Sequence, residues 1–166
     1  MFYISIGYPM GYRRMQDRDE FEYFMEIRGK FVAVTRPELD LWTNINNIKK
    51  EKIDENILNS LEEKGLVIGS DNISELFDKL LNYSVMRQGI GWVNDSKPCI
   101  LTMNKVAFHP TLLQTIIWIN GYGQFILKGI VEKRCINDFD IASESFKKQF
   151  VEDIIKLIRY SVIMVV

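Results

Sequence analysis

This chain runs through one order of residue types twice, and that recurrence limits its possible folds more than any other feature. In the first half "VTRPELDLWTNI" (34–45) is followed by "ILNSLEEKGLVI" (57–68); in the second half "FHPTLLQTIIWING" (108–121) is followed by "FVEDIIKLIRYSVIMVV" (150–166). A tryptophan stands two residues before an asparagine in both, as Trp42 and Asn44, then Trp118 and Asn120. Ile53, Ile57, Leu58, Leu61, Leu66 and Ile68 align without a gap on Phe150, Ile154, Ile155, Ile158, Ile163 and Val165. Self-similarity on this scale favours duplication of one supersecondary unit. With 166 residues, 47% of them hydrophobic, the chain can bury two small cores.

Local signals fill in each half. "FEYFMEIRGKFVAVT" reads as two strands, Phe21 to Ile27 and Lys30 to Thr35, joined at Arg28-Gly29, where glycine permits a tight hairpin. Thr35 is set to cap a helix in a capping box with Glu38, and Pro37 is tolerated in the first turn. Leu41, Trp42, Ile45 and Ile48 form its apolar face. A second helix is expected from about Ile53 to Lys64, stopped by Gly65 before "LVI" resumes as strand. "NISELFDKLLNYS" reads as an amphipathic connector helix. Beyond it, "GIGWV" around Trp92 echoes "PMGYR" around Tyr12, "KPCILTMNKVAF" gives a second strand pair and "TLLQTIIWING" a second helix. "GQFILKGIVEKRCI" is read as a helix followed by a strand, with a strand pair as the alternative. The expected fold is therefore α+β: two winged-helix-like units, 1–70 and 84–166, with small antiparallel sheets and packed helices, joined by a short helix over 71–83.

"GKFVAVTRPELDLWTNI" followed by "ILNSLEEKGLVI" resembles winged-helix domains, in which a Leu-Trp pair ends one helix and "Leu-x-x-x-Gly-Leu-Val/Ile" closes the next before the wing. It is also similar to PqqD-like peptide-recognition domains. That resemblance implies a strand set ahead of the helices and a leader peptide added to the sheet edge. The match covers residues 24 to 68 and, more faintly, 97 to 165. It leaves little room for a middle helix between Ile48 and Ile53.

The chemistry is sparse. Cys99 and Cys135 lack a CxxC spacing and the chain has a single histidine, so no metal site, disulfide framework or cofactor is expected. His109 has no nucleophile signature beside it and reads as structural or solvent-exposed. "NGYGQ" follows a helix where a dinucleotide fingerprint needs a strand, so it reads as a turn. Asp138 and Asp140 lack the remaining ligands of a calcium loop. The N-terminus lacks the charged region of a signal peptide. The apolar tract from Ile154 to Val166, broken by Lys156 and Arg159, is too short to cross a bilayer.

What remains is binding. A net charge of −1 supplies no field for phosphate backbones. The expected closing helix of the first unit carries Asp54, Glu55, Glu62 and Glu63, which repel phosphate. In the second unit Lys147, Lys148, Lys156 and Arg159 are the residues expected to contact nucleic acid if it binds, with Glu144, Glu152 and Asp153 among them. Arg13, Arg14, Arg18, Arg28, Lys30 and Arg36, interleaved with Tyr8, Tyr12, Phe21 and Tyr23, suit a phosphate backbone or an acidic peptide. Trp42 and Trp118 are expected in the core. Tyr12 and Trp92, beside glycines outside the helices, are expected to be exposed, and with Arg13 and Arg14 they are the candidate partner-binding residues. The sequence points to a non-enzymatic cytoplasmic protein that binds a protein or peptide; a regulator that binds double-stranded DNA is the alternative.

Overall fold

A computed structural model describes residues 2–14, 21–47, 52–94 and 97–166. Contacts divide the chain into two units, Met1–Ser70 with Val166, and Asp71–Val165. Both combine helices with small antiparallel sheets, an α+β architecture.

The first unit runs β1 (Phe2–Ser5), β2 (Tyr8–Arg14), β3 (Phe21–Ile27), β4 (Lys30–Val34), α1 (Arg36–Asn44), α2 (Glu55–Glu63) and β5 (Val67–Ser70). β2, β3 and β4 form one antiparallel sheet in that order, and β1 pairs with β5. Arg28 and Gly29 turn the β3–β4 hairpin at φ 50° and 75°, the positive pair that matches the strands' right-handed twist. The Thr35 capping box with Glu38 forms as expected, and Pro37 lies in the first turn of α1. Asp54 caps α2 by accepting from the Asn56 and Ile57 amides. Gly65, at φ 71°, ends it. Met25, Val34, Leu41, Leu58, Leu61 and Leu66 meet in the core, each side chain contributing about 1.5–3 kcal/mol by its burial. Ile48, read as part of the α1 face, and Arg18 lie outside the described residues.

The second unit runs α3 (Ile73–Leu80), β6 (Ser84–Arg87), β7 (Ile90–Asn94), β8 (Lys97–Leu101), β9 (Ala107–Phe108), α4 (Leu112–Ile119), β10 (Tyr122–Ile126), α5 (Leu127–Ile130), a π-helical turn (Val131–Cys135), α6 (Glu144–Arg159) and β11 (Ile163–Val165). Its sheets are β10-β6-β11 and β7-β8-β9. α3, read as a connector, belongs to this unit. The reason is packing: Phe77 meets the α6 rings Phe146 and Phe150 edge-on, with centroids 6.1 and 5.3 Å away. The region after Gln124 reverses the expected order, because β10 precedes the helical turns; Tyr122 and Ile126 pair with β6. "NGYGQ" is accordingly a cap at Asn120 leading straight into strand.

The two units repeat one another down to single hydrogen bonds. Trp42 Nε1 donates to the Ile6 carbonyl at 2.9 Å, and Trp118 Nε1 donates to the Gln88 carbonyl at 2.9 Å. The Ile6 amide donates to the Leu66 carbonyl, as the Gln88 amide does to that of Val162. Gly7 and Gly89, at φ 86° and 78°, each put the site of a missing Cβ against a carbonyl of the second strand that follows, at 2.6 Å from Glu26 on β3 and 2.3 Å from Leu101 on β8. Thr111 and Gln114 rebuild the Thr35–Glu38 capping box.

These bonds also correct the alignment of the closing helices. Leu66 bonds back to the Leu61 carbonyl and Val162 to that of Leu157, so Leu61 is the equivalent of Leu157, not of Ile158. Gly65 then falls on Ser161, which also has positive φ. The sequence conceals this one-residue slip because apolar residues at three- and four-residue spacing still land on apolar residues. Trp42 and Trp118 are equivalent as expected, but both are half-buried at the margin of their cores, held there by the indole hydrogen bonds.

Candidate functional site

The register of β2 on β3 places Tyr12 opposite Tyr23, Arg14 opposite Phe21 and Pro9 opposite Met25. Met25 is buried under the helices, so strand alternation puts Tyr23, Phe21, Tyr12 and Pro9 on the helix-side face of the sheet. Here the sheet outruns the helices that cover it: Met25 is 1% exposed, Phe21 46% and Tyr12 68%. The register shifts between Pro9 and Gly11, a bulge of the kind that re-aims the side chains after it.

Tyr12 meets Phe21 edge-to-face with centroids 5.2 Å apart and lies 6.2 Å from Tyr23. Arg36, the first residue of α1, closes the cluster. Its guanidinium stands 5.7 Å from the Tyr23 ring centre, and its Nε–H donates to the Asp40 carboxylate at 3.1 Å. The Tyr23 and Asp40 hydrogen bonds raise the Arg36 pKa further. These residues, with Pro9 and Leu39, line a groove of about 380 Å³. A second hollow of about 650 Å³ adjoins it, sharing Phe21, Tyr23 and Arg36 and reaching Ala33, Pro37 and Lys64.

The helix side of the groove is braced by Glu38. Its Oε2 accepts from the Thr35 amide at 2.7 Å, and its Oε1 accepts from Ser60 Oγ at 2.6 Å and Lys64 Nζ at 2.5 Å. Burial pushes this carboxyl up, but bonds from Lys64, Ser60 and Thr35 outweigh it and hold the pKa at about 2. In the second unit Gln114 takes the same place and donates to Asp153 of α6. Asp153 is buried, and burial raises its pKa against the Gln114 bond. One position thus caps the tryptophan-bearing helix and ties it to the closing helix in both units.

Of the four candidate partner-binding residues, Tyr12 lines the groove and Arg14 lies beyond it at the end of β2, opposite Phe21. Arg13 points to the other face of the sheet. Its guanidinium lies 5.4 Å from the Phe24 ring centre and its Nε–H donates to Glu22 at 2.8 Å. Trp92 is 43% exposed on β7, opposite Cys99, in the second unit. On α6, helical spacing sets Lys148, Lys156 and Arg159 along one exposed stripe that Glu152 interrupts. Lys147 is off that stripe and pairs with Glu144 at 2.7 Å.

His109 is exposed. Cys99 and Cys135 are free and buried, and burial, aided by Asp138, pushes the Cys135 thiol up to about 11. Among the described residues no three potential metal ligands are grouped, and no helix is long and apolar enough to cross a membrane.

The sequence groups Tyr12, Phe21, Tyr23 and Arg36 in one aromatic and basic stretch, but it does not place them together in a groove or add Leu39 to them. The interleaved aromatic and basic residues of the first forty positions were the signal. Only the cross-strand register turns that mixture into a site. No protein-family model, curated protein or solved structure matches the chain.

Proposed function

We propose that this is a binding protein built from two winged-helix-like units, and that the first unit takes an extended peptide segment of a protein partner. The observation that carries the reading is the groove of Tyr12, Phe21, Tyr23, Leu39 and Arg36 beside β2, an edge strand of its sheet. An edge strand offers backbone groups to a peptide, while a neighbouring pocket selects its side chains. A groove of about 380 Å³ falls within the size range of ligand-binding pockets and is large enough to admit an apolar side chain. Aromatic rings exposed at its rim lose water on binding, and such anchors dominate interface energies. Arg36 adds a guanidinium for a carboxylate or backbone carbonyl of the ligand.

The alternative, a DNA-binding regulator, draws on the α6 stripe of Lys148, Lys156 and Arg159. It ranks second because Glu152 lies within the stripe and because the chain carries no net positive charge.

Selection from a displayed random-peptide library, followed by anisotropy titration of the enriched sequences, separates the two. The peptide reading expects enrichment of sequences with an aromatic or large aliphatic residue, and a loss of about tenfold or more in affinity on Tyr12→Ser, as for an interface anchor. A protein that enriches nothing, yet binds mixed-sequence duplex in a salt-sensitive way abolished by Lys148→Glu with Lys156→Glu, contradicts it.

A further inference from the structure

The duplication exposes one place where the two units have diverged in kind. Two residues after the Trp-x-Asn asparagine stands Asn46 in the first unit and Tyr122 in the second. The strand position that each faces is Ser5 and Arg87, equivalent because Ser5 pairs with Val67 and Arg87 with Ile163. In the first unit this place is sealed: Asn46 Nδ2 donates to Ser5 Oγ at 2.8 Å, and both residues are buried. In the second it is open. The Arg87 guanidinium carbon lies over two rings, 4.1 Å from the centre of Tyr122 and 5.1 Å from that of Trp118, and Tyr122 is 55% exposed.

Contact with ring faces engages the π face of a guanidinium and leaves its N–H edge for an in-plane acceptor. Among the described residues no carboxylate pairs with Arg87, whereas Arg13, Arg36 and Lys64 each have one. The support around it is rigid. The Arg87 amide donates to the Gly121 carbonyl at 2.7 Å, the Trp118 indole is tied to Gln88, and Gly91 has its Cα against the Trp118 ring, where a Cβ would come within 2.3 Å.

We propose that Arg87, framed by Trp118 and Tyr122, is a recognition site for a single carboxylate of a bound peptide. One guanidinium fork matches one carboxylate in charge and geometry. The two ring faces offer apolar contact to the residues flanking it. The Arg87 site and the groove of the first unit share only the class of partner. The site lies in the other unit and does not need the groove.

Three amidated, otherwise uncharged peptides that differ at one central residue (Glu, Gln or phosphoserine) provide the probes. NMR of the full chain follows the Arg87 Nε–H and Trp118 Nε1–H signals. The Glu peptide is expected to shift both saturably and the Gln peptide to leave them in place. Arg87→Met, which keeps the apolar stem, should lower the Glu peptide's affinity by about tenfold or more, and Arg87→Lys, which keeps charge without the fork, should fall between. Equal responses to Glu and Gln, an Arg87→Met protein that binds the Glu peptide as wild type does, or phosphoserine bound more than tenfold tighter than Glu each overturn the assignment. Tyr12→Ser serves as the control: it removes the groove contact and is expected to leave these shifts unchanged, so the two readings fail separately.

Discussion

Replacing Glu38 with Gln tests the brace under the groove. The substitution keeps the shape and the capping bond but removes the charge that Lys64 and Ser60 meet. The folded protein holds this carboxyl at about 2 against an ordinary 4.5, a difference that converts at about 1.4 kcal/mol per pH unit to roughly 3 kcal/mol. Lys64 is 30% exposed, so water screens part of the pair and about 2 kcal/mol is expected. The folded pKa is depressed, so the stabilisation is present in full above the unfolded value near 4.5 and is lost as pH falls through about 2. Urea unfolding, followed by NMR signals of the first unit, is to be run on wild type and Glu38→Gln from pH 7 down to pH 2. The variant should be less stable by about 2 kcal/mol near neutrality, with the gap closing across the acid range. A difference that stays constant with pH, or its absence at pH 7, refutes the claim that an ionised Glu38 ties α1 to α2.

Further expectations concern stability in both units. Asp153 carries the opposite shift: its folded pKa is raised by burial, so ionisation costs stability as pH rises through that value, and Asp153→Asn should gain stability at pH 7 and little at low pH in unfolding titrations. Gly89→Ala puts a Cβ at 2.3 Å from the Leu101 carbonyl oxygen at φ 78°; a cost of about 2 kcal/mol or more is expected, against about 1 kcal/mol for Gly123→Ala, which has open space. Thermal unfolding of the two variants side by side measures the difference. Trp42→Phe and Trp118→Phe each orphan a carbonyl, Ile6 and Gln88 respectively; losses of about 1–3 kcal/mol are expected, similar in size because the bonds are equivalent.

Much of the fold was legible because its signals are local. The Thr35 box, the Arg28-Gly29 turn and the Gly65 stop each specify backbone geometry within a few residues, and all three form. Two kinds of feature were not legible. β1 and β2 had no reading as strands, and β10 was read as turn and helix with a strand pair only as the alternative, because pairing such as Phe2 with Ser70 joins residues far apart in sequence. Helix registers slip for a different reason: amphipathic periodicity fixes a face but not a position along it, and only the capping bonds at Leu61 and Leu157 fix the latter. The groove belongs to the first kind, since Tyr12, Tyr23 and Arg36 meet only once β2 has paired with β3. So does the Arg87 site, which needs β6, α4 and β10 together.

The most direct test of the binding account is where a selected peptide lands. Backbone amide shifts of the full chain, titrated with the tightest peptide from the library, should move most along β2 and β3 from Pro9 to Phe24 and at Arg36 to Leu39. Shifts centred on the α6 stripe of Lys148, Lys156 and Arg159, with the Tyr12 and Tyr23 signals unmoved, would contradict the groove as the site.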